Sequence, residues 1–428
     1  ANGFSRIVIG DPNARMDIQI GDPARSGSAI TVKDPLLIQN PVLGGHIRSY
    51  AQLVGLDDAT LEIDGSGETI DIYDRWDPDT AGHPDYTFAE KILYNDAVGI
   101  VGNIEVESGA TGEGGIEFVW TLNGDGQATE EHLRLNAASG ESDIVFKGAV
   151  GDSDPLETLE ITAARDVTFE ETVVVNGDLS ITANGTVTFK DDVLLTQNGN
   201  LTIVGATHVR FNDDLAVAMD ISIEADEIDF DGGSSTIKTT GSGSLRLMPT
   251  TISHTIEIAS PPDMEDSGLD LTEDDIEALH DGFSHIYIGR EAGGHADAEA
   301  GGVRVGSVTN AITFYDQVTI YGGRIEVVDY TNGNRDFITA TQVNLDSVGH
   351  INVYNAAKIG GLTKAPLTLY SAEGHIKQYQ DATDNKSDEY IMAGLLIAEA
   401  MRGIDLGWTQ LTIIDLLNRG KGDIFLNE

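Results

Sequence analysis

The chain has 428 residues, with 71 Asp and Glu against 25 Lys and Arg, a formal net charge of −46. No apolar run approaches the ~20 residues that a membrane-crossing helix needs, so acidic a surface repels a nucleic-acid backbone, and the lack of Cys excludes disulfides and thiolate metal sites. Hydrophobic residues make up 40% and alternate with polar ones, which argues against disorder, and 49 Gly beside 11 Pro point to a large β-rich protein.

Residues 1–73 read as a solenoid segment. It opens on Gly3-Phe4-Ser5-Arg6-Ile7-Val8-Ile9-Gly10 and passes through Ala29-Ile30-Thr31-Val32-Lys33-Asp34-Pro35-Leu36. Residues 74–96 break the pattern and read as an inserted loop. That loop holds the best local mix of acids, bases and aromatics: Asp74, Arg75, Trp76, Asp77, Asp79, His83, Asp85 and Tyr86. Trp76 and Tyr86, with Asp77 and Asp79, are its candidate ligand-binding residues. The rings suit stacking on a sugar, and equally suit anchoring the loop to the solenoid.

Residues 97–260 read as β-helix coils, and the repeat is clearest between 156 and 233. Leu159-Glu160-Ile161-Thr162-Ala163, Leu179-Ser180-Ile181-Thr182-Ala183, Leu201-Thr202-Ile203-Val204-Gly205 and Ile221-Ser222-Ile223-Glu224-Ala225 follow at offsets of 20, 22 and 20. Val167-Thr168-Phe169, Val187-Thr188-Phe189, Val209-Arg210-Phe211 and Ile228-Asp229-Phe230 keep step, and a third apolar stretch such as Val193-Leu194-Leu195 completes each unit. Strands this short cannot stand alone as hairpins. Stacked coil upon coil at about 4.8 Å, they form parallel ladders around one core. The fold class expected is therefore all-β, a parallel β-helix with 20–22 residues per coil and one or two short helices. Phe169, Phe189 and Phe211 should then form a single internal column. Asn176-Gly177 and Asn184-Gly185 are hairpin signals that keep a β-sandwich open as the alternative.

Residues 261–282 read as a linker and helix. Thr272 is the N-cap, Glu273, Asp274 and Asp275 fill the first turn, and Gly282 lies just past the end. Residues 283–385 return to coils, and Gly282-Phe283-Ser284-His285-Ile286-Tyr287-Ile288-Gly289 matches the start of the chain at an offset of 279. Ala311-Ile312-Thr313-Phe314-Tyr315-Asp316-Gln317-Val318 matches residues 29–36 at an offset of 282, which predicts a second repeat of roughly 280 residues with a helix at each junction. In 386–428, Ser387, Asp388, Glu389 and Gly403 predict a helix over 388–402 that caps the solenoid, followed by the start of a further coil at Gly422-Asp423-Ile424-Phe425-Leu426. The chain is expected to be a segment of a longer periodic polymer, or a subunit whose ends stack on neighbours.

The helix followed by Gly-Phe-Ser-x-Ile-x-Ile-Gly and Ala-Ile-Thr-x-x-Asp-x-Val, with the Gly177-Asp178-Leu179-Ser180-Ile181-Thr182-Ala183 type of coil, resembles large bacterial surface and secreted proteins of the filamentous-haemagglutinin and repeat-adhesin type. The resemblance implies a right-handed β-helix exported to the cell surface as a fibre, stalk or adhesive matrix, and it implies no catalytic residues.

The chemistry that stands out is acidic. Glu171, Asp191 and Asp213 follow the landmark Phe by two positions, Asp34 and Asp316 hold the same place in the longer repeat, and Glu170, Asp192 and Asp214 thicken the stripe. Stacked coils would set these carboxylates about 5 Å apart, each repelling the next by ~1 kcal/mol in water. One reading is Asx-type capping of backbone N–H groups. The other, compatible with it, is structural Ca²⁺, a hard cation that takes several oxygens. Asp229 and Asp231, two apart before Gly232-Gly233, would make a smaller version.

Enzyme motifs are missing: there is no Gly-x-Ser-x-Gly, Gly-x-Gly-x-x-Gly, P-loop or His-Glu-x-x-His. The expectation is thus a non-enzymatic extracellular structural solenoid. It should associate with itself, head to tail or side by side, bind no nucleic acid and have no membrane span. A passive host- or glycan-binding adhesin and a β-helix polysaccharide lyase or hydrolase are the alternatives.

Overall fold

A short strand with inward apolar residues every second position cannot bury that face alone, and the coils solve this by stacking. The computed structural model describes residues 4–11, 17–22, 29–40, 45–65, 69–73, 85–109, 114–126, 131–137, 140–259, 268–306, 312–328, 336–354, 358–361, 365–379 and 391–427. They fall into two compact units, Ala1–Ala206 with Arg210–Ala218, and Thr207–Val209 with Met219–Glu428.

The first unit is a parallel β-helix with three ladders. One runs from Ile7–Ile9 through Leu36–Gln39, Leu61–Asp64, Ile92–Tyr94, Gly115–Phe118, Asp143–Phe146 and Val167–Phe169 to Thr186–Phe189. Another begins at Ile18–Ile20 and reaches Leu122–Gly124, and the third climbs from Ala29–Val32 to Leu201–Ala206. Like meets like: Leu159 pairs with Leu179 and Leu179 with Leu201. The rings of Tyr94, Phe118, Phe146, Phe169, Phe189 and Phe211 form one internal stack, with neighbouring centroids 4.5–5.1 Å apart and planes within 9°. Parallel pairing in register excludes the sandwich.

The second unit repeats the scheme. One ladder passes through Leu245–Met248, Ile286–Ile288, Gln317–Gly322, Gln342–Ser347, Pro366–Ser371 and Ile391–Ala400 to the upper half of Ile404–Asn418. A second runs from Thr255–Ile258 through Gly302–Val305, Arg324–Val328, Ile351–Tyr354 and Ile376–Tyr379 to the lower half of Ile404–Asn418 and Ile424–Asn427.

Several expectations are corrected. Some coils outside 156–233 run longer, since register partners Ile7 and Leu36 stand 29 positions apart and Leu61 and Ile92 31, whereas Ile404 and Ile424 keep the spacing of 20. Residues 85–96 of the expected loop are coil, with strands Tyr86–Phe88 and Ile92–Tyr94, while 74–84 lie outside the described residues. The helix spans only Glu273–Ala278, with Leu279 as its C-cap, so Gly282 lies beyond the cap. The expected second helix is a strand, Ile391–Ala400, because its edge pairs with Pro366–Ser371 on one side and with 409–418 on the other.

The long repeat has a structural counterpart. Ile7 pairs with Leu36 as Ile286 pairs with Val318. Gly10 and Gly289 both hold a left-handed backbone, φ 103° and 96°, where a Cβ would collide with the carbonyl oxygen of Gln39 or Tyr321.

Candidate functional site

The acidic stripe of the first unit sits in the turns that join the Phe ladder to the next strand. After Phe189, Lys190-Asp191-Asp192 turns the chain into Val193–Leu195; one coil on, Asn212-Asp213-Asp214 turns it into Leu215–Val217. The turns are built by the acids. The Asp192 amide donates to Asp191 Oδ1 at 2.8 Å, the Asp214 amide donates to Asp213 Oδ1 at 3.0 Å, and the Asp214 amide also reaches Asp192 Oδ1 of the coil before at 3.2 Å.

This last bond is one case of a device used throughout. Asp166 Oδ1 accepts from the Thr186 amide, Asp178 Oδ1 from Asn200, Asp220 Oδ1 from Ser244, and Asp316 Oδ2 from both Gly282 and Phe283. A carboxylate in one coil caps a backbone N–H in an adjacent one, so part of the chain's acidity is structural.

One oxygen from each of Asp191, Asp192 and Asp213 lies within 4.8 Å of the others. Desolvation first, and then the Asp213, Asp191 and Asp214 carboxylates, hold the Asp192 carboxyl above its usual range, while the Asp214 amide pulls the other way. Three convergent carboxylates supply hard oxygen ligands of the kind Ca²⁺ takes, with water completing the shell. Asp214 turns its amide into the group and Glu171 stands outside it, exposed, one coil away.

Asp229 and Asp231 belong to the second unit and are not among these three residues. Asp229 Oδ2 is 2.8 Å from His208 Nε2. Both line a cavity of about 350 Å³ beside the helix, with Thr272, Asp274, Asp275 and Glu277. Sequence reasoning placed Asp275 in the first turn of the helix and no further. It is buried, accepts from the Thr272 amide and hydroxyl at 2.8 and 2.6 Å, and accepts from the Phe230 amide at 2.7 Å. Burial raises its carboxyl above the usual range against these three bonds. The Thr-x-x-Asp spacing was the available signal, a capping box that also ties the helix to a strand.

Of the loop residues, Trp76, Asp77 and Asp79 lie outside the described residues. Tyr86 is not a surface ring: it is 1% exposed inside the coil, and burial drives its phenol far above its ordinary value. Comparison with protein-family models, with curated proteins and with solved structures finds no match to this chain.

Proposed function

We propose that the protein is a structural β-solenoid, a segment or subunit of an extracellular bacterial surface fibre, sheath or matrix that assembles with itself. The observation that supports this reading best is the use of polar chemistry: the aspartates are spent on joining coil to coil, over a core of stacked like side chains. Such a body resists unfolding and offers repetition rather than a reaction centre. Ca²⁺ at Asp191, Asp192 and Asp213 belongs to the same reading, as a clamp that reverses the repulsion between adjacent turns.

Electron microscopy of the purified chain, with and without Ca²⁺, tests the proposal together with a turnover screen on acidic polysaccharides. Ordered assemblies without turnover are the expected result. Release of unsaturated or reducing sugar ends would replace the structural reading by the lyase or hydrolase one, and binding to a glycan array without assembly would favour the adhesin.

A further inference from the structure

Among the described residues of the first unit, the hydroxyls sealed in the core without a hydrogen-bond partner are those of Ser49, Tyr94 and Ser108. All lie within three successive coils, the ones whose first strands are Leu36–Gln39, Leu61–Asp64 and Ile92–Tyr94. Ser49 and Tyr94 are 0% exposed. Their ladder neighbours are hydrocarbon: Ser49 pairs with Ile20 and Ile72, and Tyr94 with Ile63 and Phe118. Neither group can turn away to find a partner. The Tyr94 ring is clamped on Phe118, with centroids 4.9 Å apart and planes within 9°, so its hydroxyl projects past the edge at which the phenylalanine rings above it end.

The Tyr86 phenol comes to the same place. It belongs to the coil between, in register with Leu53 and Val106, and it lies close enough to feel the Ser49 hydroxyl and to act on the Tyr94 phenol. Burial holds both phenols far above their ordinary range, so each keeps a proton to donate. Room for a guest comes from Ser49, a small polar side chain in a column otherwise made of Ile20, Ile72 and Ile100. A buried hydroxyl left unpaired is costly. Protein interiors answer that cost with ordered water, each molecule typically making about three hydrogen bonds.

We infer that the core of the first unit binds a water molecule here, hydrogen-bonded to Ser49 Oγ, Tyr86 Oη and Tyr94 Oη. It ties three coils together from within, as the aspartates tie coils from outside. Ser108 lies at the far end of Tyr94's coil, between Phe88 and Ala137, and is not part of this site. The site does not depend on what the solenoid is for, so its failure would leave the structural reading above untouched.

The sign of a deletion separates a hydrated site from a dry one. In a dry core, Tyr94→Phe and Ser49→Ala each remove an orphan and raise the urea midpoint. In a hydrated one, each strips a ligand from the water and brings no gain. Magnetic relaxation dispersion of the water oxygen counts the long-lived internal waters in the parent and in both variants. The expected result is the loss of about one such water in each variant, with a midpoint no higher than the parent's. An unchanged count, or a midpoint above the parent's in either variant, would overturn the site. A high-resolution crystal structure of the parent tests it without any substitution. Density for a water within hydrogen-bonding distance of all three hydroxyls is expected; hydroxyls bonded directly to one another, with no such density, would overturn it as well.

Discussion

Phe189 sits fully buried between Phe169 and Phe211, with both centroid separations 4.8 Å and ring planes 2° and 5° apart. Truncating it to alanine removes a large apolar side chain from a packed interior, which costs about 3–5 kcal/mol. Two ring contacts worth roughly 0.5–1.5 kcal/mol each go with it, which places Phe189→Ala at the upper end of that span. Urea unfolding, followed by circular dichroism with the slope checked for constancy, reads the loss as a shift in midpoint. A double-mutant cycle isolates the stack. Phe169→Ala with Phe189→Ala should show a coupling of about 0.5–1.5 kcal/mol, whereas Phe146→Ala with Phe211→Ala, separated by two rings, should add within ~0.5 kcal/mol. Equal coupling in both pairs, or a cost below ~1.5 kcal/mol for Phe189→Ala, would refute the reasoning.

Other expectations follow from single contacts. Glu117 lies between Lys91 and Lys147 of neighbouring coils; burial pushes its carboxyl up, but the two ammonium groups together hold it below the usual value. That stability is present above the unfolded pKa and is lost as pH falls through the lowered one, so Glu117→Gln should cost ~1 kcal/mol at neutral pH and remove this part of the acid dependence. Asp275→Ala deletes the capping box and the buried carboxylate that accepts from the Phe230 amide, an expected loss of about 2–4 kcal/mol by denaturant titration. His375 stacks on His350 at 4.0 Å, and burial, then His350, Lys377 and Arg402, lower its pKa. The unfolded chain then binds the proton first, so stability falls as pH drops from 6.5 toward the lowered value, and His375→Asn should flatten that limb of the stability–pH curve. Asp192→Asn should raise the melting temperature in chelator and abolish any rise that Ca²⁺ gives the parent; a Ca²⁺ response retained by the variant would take the ion away from this turn.

The fold was legible wherever coil length stayed constant. Leu159, Leu179 and Leu201 recur at nearly fixed spacing, and that spacing is the register of the ladder. It was obscured where loops lengthen the coils, as between Leu61 and Ile92, so that Tyr86 read as part of an insertion although it packs inside. Residues 391–400 misled for a different reason. Met392, Ala393, Leu395, Leu396 and Ala398 are good helix formers, and only the long-range pairing with Leu367 and Leu369 makes them a strand. In the acidic turns the stripe was visible, but not that Asp192 spends an oxygen on the Asp214 amide as Asp166 does on that of Thr186, since such a bond depends on which coil lies next to it.

The stacking of successive coils is tested most directly by nuclear Overhauser effects in the perdeuterated chain with protonated phenylalanine rings. Cross-peaks are expected between Phe169 and Phe189 and between Phe189 and Phe211, with none between Phe169 and Phe211, whose rings stand one coil further apart. The absence of the first two, or rings of these three residues in contact with unrelated strands, would contradict the account.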